Sequence, residues 1–198
     1  RGDLRLDQPM KEILPELGEV QVVSRNSDEL TFAPLARDIT LHHLLTHTSG
    51  YAYDFHAELI AELVAQEKLA GVASDNDAFL SAPLIFQPGE NWEYGINIDW
   101  AGRIVEKISG VDLNAYVKAN ILRPLGMEHT SFSINDLNGD ALVPLALRDD
   151  DGNLSDVSEL MPNVTDGPYL GGGGLYSNVG DYMKFMRMVL KDGQGPDG

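Results

Sequence analysis

The amino-acid sequence predicts an α+β fold in which helices outnumber strands. Apolar residues recur at helical spacing over 97–109 and 179–191, capping and stop residues bracket shorter helices elsewhere, and only two short runs, 20–23 and 30–32, have the β-branched and aromatic character of strands.

Taken in order, residues 4–17 set Pro9 and Pro15 among short apolar runs, which predicts a loop with at most one short helix. The runs 20–23 and 30–32, separated by the polar 24–28, predict a small hairpin or a polar loop. Asp38 or Thr40 can cap a short helix in which Leu41, Leu44 and Leu45 share a face, with Gly50 as its stop. A second amphipathic helix is expected over 55–68, turning Leu59, Leu63 and Ala70 inward and Glu58, Glu62 and Glu67 to water. A shorter one covers 76–81, before Pro83 and Pro88-Gly89 break the chain. Over 97–109 the stripe is Ile98, Ala101, Val105 and Ile108, with Asn97 as N-cap and Gly110 as the C-terminal glycine. Asp112 caps the next helix, which turns Leu113, Tyr116 and Val117 inward and ends at Pro124-Leu125-Gly126. Residues 133–167 are polar and too long for a plain connection; they hold a turn at 149–153 and leave room for weak strands. Four glycines, Gly171 to Gly174, lead to the last helix, 179–191, whose expected buried face is Tyr182, Phe185, Met186, Val189 and Leu190.

Composition narrows function. With 43% apolar and 23% charged residues, the 198-residue chain reads as globular, and no apolar run approaches the roughly 18 residues of a membrane span. The 31 acidic residues against 14 basic ones give a net charge of -17, which repels phosphate backbones and argues against a nucleic-acid partner. The absence of cysteine excludes disulfides and thiolate chemistry and leaves the compartment open. The chain opens on Arg1 within a charged segment and ends in the turn-forming 193–198, so both ends are expected to be cuts in a longer protein.

His43 and His47 stand at i and i+4 on an expected helix, but the residue after the first histidine, where a zincin carries its glutamate base, is Leu44, so no metal site is expected. The glycine run lacks the lysine and hydroxyl of a phosphate loop and reads instead as a close backbone approach. No serine lies in a Gly-x-Ser-x-Gly elbow or has lysine three positions later, so a serine nucleophile would have to lie outside these residues.

Three segments, Ile39-Thr40-Leu41-His42-His43-Leu44-Leu45-Thr46-His47-Thr48-Ser49-Gly50, Phe86-Gln87-Pro88-Gly89-Glu90-Asn91-Trp92-Glu93-Tyr94-Gly95 and Gly172-Gly173-Gly174-Leu175-Tyr176-Ser177, resemble in order and spacing the family of class C beta-lactamases, D-alanyl-D-alanine carboxypeptidases and related serine esterases. The residues from Tyr94 to Gly102 are most similar to the esterase and fungal acyltransferase branch that includes the lovastatin side-chain transferase. The resemblance implies a beta-lactamase/transpeptidase-like fold, with 1–38 leaving the α/β domain, 39–132 forming the helical domain, and 133–198 returning to the α/β domain. It also implies a catalytic Tyr94, a substrate cleft lined by Gly172, Gly173 and Tyr176, and no cofactor. His47 and Ser49 are expected to hold the turn below the site.

In the family a serine and lysine one helical turn apart work with this tyrosine. A phenol with unperturbed pKa near 10 is a poor base at pH 7 unless nearby positive charge favours the phenolate, and the lysine supplies that charge. Tyr94 would accept the serine proton during attack and return it during acyl transfer. One departure from the pattern is Ile96, where lactamase and peptidase members carry an asparagine that contacts the substrate amide. It turns the expectation toward ester or thioester substrates. The rivals are a lactamase or peptidase acting on lactam or peptide substrates, and a catalytically dead homologue that only binds ligands.

Overall fold

The computed structural model describes residues 2, 4–27, 29–74, 77–137, 142–158 and 167–196. The chain divides into two compact units, Arg1–Leu113 with Leu170–Gly173, and Asn114–Tyr169 with Gly174–Gly198.

In the first unit the proline-punctuated start forms two 3-10 turns, Met10–Glu12 and Pro15–Gly18, where one short helix at most was expected. Each buries one anchor, Met10 and Leu17. The hairpin is present as strands β1 (Gln21–Asn26) and β2 (Glu29–Pro34), paired antiparallel with Val23 opposite Phe32. It extends through Ser24 and Arg25, which the sequence reading assigned to the linker. That end of the ribbon is solvated, so no apolar alternation betrays it; Ser24 and Thr31 bond across the strands at 3.0 Å, and Arg25 pairs with Glu62.

Helix α1 (Leu41–Leu45) starts in a capping box. The Thr40 hydroxyl accepts the His43 N–H, and His43 Nδ1 accepts the Thr40 N–H. Leu44 is buried, whereas Leu45 is about half exposed. Helix α2 (Glu58–Ala65) is shorter than expected and buries Ile60 and Leu63. A 3-10 turn at Ala78–Ser81 stands where the short helix was expected; residue 76 lies outside the described residues.

Helix α3 (Asn97–Ser109) has the expected bounds and ends at Gly110 in the left-handed conformation, φ 73°. Its buried face is not the expected stripe. Asn97, Trp100 and Ile104 are buried together with Asp99 and Gly102, while Ile98, Ala101 and Val105 are half-buried and Ile108 is exposed. Nor does Asn97 cap the helix: Ile96 holds that position, and the Asn97 side chain points into the interior. The mistake has a physical origin, because the inner face uses an amide, a carboxylate and a glycine, which a hydrophobic pattern counts as outside. The core of this unit joins Met10, Leu17, Ile39, Leu44, Tyr51, Leu84, Ile96 and Ile104.

The second unit takes up the chain in α4 (Leu113–Val117), which continues through a π-helical turn (Lys118–Leu122) into α5 (Arg123–Leu125), stopped by left-handed Gly126. Strands β3 (Ala146–Arg148) and β4 (Leu154–Asp156) form an exposed antiparallel hairpin around the expected 149–153 turn; 138–141 and 159–166 lie outside the described residues. Helix α6 (Val179–Leu190) has close to its expected length but not its expected face. Asp181 is buried, Phe185 and Met188 pack on Leu122, Leu125 and Met127, and Tyr182, Met186, Val189 and Leu190 are exposed. The inward side is marked by a carboxylate that accepts from the His129 N–H at 2.7 Å, Thr130 Oγ1 at 3.0 Å and Lys184 at 2.9 Å. Among the described residues no helix is long and apolar enough to cross a membrane.

Candidate active site

The first unit brings two of the quoted segments together by main-chain pairing. Leu84 O accepts the Val23 N–H at 2.7 Å, which sets the chain beside β1, and then Gly50 O accepts from Ile85, Thr48 O from Gly89 at 2.7 Å, and His47 O from Glu93 at 3.0 Å. The chain from 84 to 94 therefore runs along 47–50 and delivers Tyr94 next to His47. The approach is so close that a Cβ on Gly95 would lie 2.4 Å from Ala52 Cα and 2.5 Å from Tyr51 O. Only glycine fits between these backbones.

Tyr94 is 43% exposed, so its ring opens to solvent rather than into the core. It is held among rings, with centroids 5.0 Å from His47, 5.3 Å from Tyr53 and 6.0 Å from His56. Below it lies a buried polar chain. Ser49 Oγ donates to Asn97 Oδ1 at 2.5 Å, and Asn97 Nδ2 donates to Tyr51 O at 3.3 Å and to His47 Nδ1 at 3.1 Å. This is the supporting turn expected of His47 and Ser49, with Asn97 as its unforeseen centre. His47 lies beyond the end of α1 with φ 56°, so it does not share that helix with His43, and His43 Nδ1 is already engaged in the capping box. Burial holds His47 below the usual histidine range. Ile96, at the position of the family's substrate asparagine, is buried in the core cluster.

The glycine run is a close backbone approach, as expected. A Cβ on Gly171 would lie 2.2 Å from Ile98 O, and the Gly172 N–H donates to Asp99 Oδ1 at 2.8 Å. Asp99 is 4% exposed and also accepts from the Tyr53 hydroxyl at 3.4 Å. Burial pushes its carboxyl above the usual range against the pull of these bonds, and burial followed by the Asp99 charge pushes the Tyr53 phenol up as well. Tyr53 thus stays a donor near neutral pH. Gly172 sits against α3 through Asp99, and a Cβ on Gly173 would meet open space. Tyr176 belongs to the second unit, where it forms an antiparallel bridge with Ser131. Sequence reasoning missed Asn97, Asp99 and Tyr53. The one local cue was an acidic residue in the first turn of α3, which ordinarily reads as a solvated partner of the helix dipole.

The Beta-lactamase family model matches residues 1–197. This chain belongs to the beta-lactamase family. The monacolin J acid methylbutanoyltransferase of Aspergillus terreus is 34% identical over 96% of the chain and 48% of its own length. The lovastatin esterase of Penicillium rubens is 34% identical over 96% of the chain and 49% of its own length. A simvastatin synthase variant from Aspergillus terreus superposes with a TM-score of 0.84 at 33% identity, covering 98% of this chain and 48% of that one. The beta-lactamase/transpeptidase-like fold and the fungal acyltransferase and esterase branch are thereby both supported by solved and curated relatives. The chain spans about half the length of these relatives.

Proposed function

We propose that the full-length protein transfers or hydrolyses the acyl group of ester or thioester substrates through a serine ester, with Tyr94 as the proton relay and the serine and lysine supplied from outside these residues. The observation that carries this reading is the setting of Tyr94: a phenol open to solvent, fixed beside His47 by paired backbones and by a buried hydrogen-bond chain. A relay has to hold its oxygen in one place while a proton passes in both directions, and a rigid base under an open face meets that demand. Gly172, Gly173 and Tyr176 belong to this reading as substrate-binding residues.

Ester over lactam or peptide chemistry is favoured by position 96. The Ile96 side chain is buried, and the neighbouring Asn97 amide is committed to Ser49, Tyr51 and His47, so neither offers the amide contact of the lactamase pattern. The similarity to a methylbutanoyltransferase and an esterase points the same way.

The test is fluorophosphonate labelling of the full-length protein, wild type and Tyr94→Phe, together with turnover of p-nitrophenyl butyrate and nitrocefin. Labelling slowed by about 100-fold or more in Tyr94→Phe, with butyrate preferred, is the expected result. Equal labelling rates refute the relay, a nitrocefin preference refutes the ester assignment, and a protein that never labels is a ligand-binding homologue.

A further inference from the structure

We propose that Ser49, Asn97 and His47 form a fixed hydrogen-bond chain that locks the His47 imidazole as its neutral Nε2–H tautomer, and that this ring positions Tyr94. The proposal rests on the reading of Tyr94 as proton relay.

The polarity of the chain follows from one atom that cannot change role. The carbonyl of Tyr51 only accepts, so the nitrogen of the Asn97 amide must face it, at 3.3 Å. That nitrogen has a second hydrogen, directed at His47 Nδ1 at 3.1 Å, so Nδ1 must be the acceptor and the ring proton sits on Nε2. On the opposite side Asn97 Oδ1 accepts from Ser49 Oγ, which itself accepts the Tyr51 N–H at 3.3 Å. Each link is anchored in main chain. Ser49 and Asn97 are both fully buried, so reversing either would set donor against donor or acceptor against acceptor without water to relieve it.

His47 is also held by its backbone in an uncommon state. Its φ of 56° is left-handed, a conformation that costs energy in a non-glycine residue and persists only where the surroundings impose it. They do so here by two main-chain bonds, His47 N–H to Leu44 O at 3.3 Å and Glu93 N–H to His47 O at 3.0 Å. The second reaches the residue immediately before Tyr94. The result places the imidazole 5.0 Å from the Tyr94 ring and 6.4 Å from the Trp92 ring, while Tyr53 and His56 also pack against Tyr94. A protonated His47 would aim an Nδ1–H at the Asn97 amide hydrogens, which agrees with the lowering of its pKa by burial.

The experiment uses the full-length enzyme. In nitrogen-15 spectra of histidine-labelled protein at pH 7, with the resonance assigned by its loss in His47→Asn, His47 should show the Nε2–H pattern; an Nδ1–H or doubly protonated ring overturns the proposal. His47→Asn is also the kinetic test, because asparagine tolerates left-handed backbone and its Oδ1 can still accept from Asn97, yet it has no ring to set against Tyr94. Its thermal midpoint should stay near wild type while kcat for p-nitrophenyl butyrate falls about tenfold with KM within about twofold. Wild-type kcat in His47→Asn overturns the positioning role. Tyr94→Phe measured in parallel separates the failures: full turnover there removes the relay reading, whereas the tautomer spectrum depends on no activity.

Discussion

Replacing Gly95 by alanine tests the close backbone approach beside Tyr94. The added Cβ would lie 2.4 Å from Ala52 Cα and 2.5 Å from Tyr51 O, both main-chain positions that cannot rotate out of the way. Non-bonded carbons settle at about 3.5–4.0 Å, so the two backbones must part by roughly 1 Å. Overpacking of this kind costs about 1–3 kcal/mol of stability. The displacement also passes directly to Tyr94, one residue away; under the relay role proposed for Tyr94, a misplacement of about 1 Å lowers turnover on the order of 100-fold. Urea denaturation and p-nitrophenyl butyrate kinetics on full-length Gly95→Ala would read both effects. A variant with wild-type stability and wild-type kcat would refute the argument that these paired backbones hold the tyrosine.

Three further outcomes are expected. His43 is held below the usual histidine range by burial and then by His42 and Arg37, so its contribution to stability is full above about pH 6.5 and lost as pH falls through the lowered folded value. Protonation also ends the Nδ1 acceptance that closes the capping box; His43→Gln, which keeps an acceptor at that position, should flatten the decline in urea midpoint between pH 7.5 and 5. Asp181→Ala leaves the His129 N–H without its acceptor and the Thr130 hydroxyl with Ser177 Oγ alone, and should lower stability by about 1–3 kcal/mol in urea unfolding. Gly110→Ala meets no steric obstacle but must hold φ 73°, so it should cost about 1 kcal/mol, read as a lower thermal midpoint.

What was legible from sequence follows the range of the interactions involved. The bounds of α3 and the left-handed stop at Gly110 rest on residues a few positions apart and were read from local pattern, while the structure selects Thr40 over Asp38 as the α1 cap and a hairpin over a polar loop for β1–β2. The buried faces of α3 and α6 were misread for a shared reason. Each carries a polar residue on its inner side, Asn97 with Asp99 in one and Asp181 in the other, and a polar residue counts as outward until its partner is known. Those partners are distant: Ser49 lies 48 residues from Asn97, Gly172 lies 73 from Asp99, and His129 lies 52 from Asp181. The polar end of the hairpin escaped notice for the opposite reason, since with both faces wet it needs no apolar alternation.

The sequence by itself determined the family, through three ordered motifs, and with it the tyrosine to which the chemistry is assigned. Tertiary structure alone decided that Asn97 is a hub rather than a helix cap, that His47 leaves its helix to face Tyr94, and that Asp99 takes the Gly172 N–H. Main-chain conformation answers to neighbours in sequence, whereas the fate of a buried donor or acceptor depends on which distant group arrives to satisfy it.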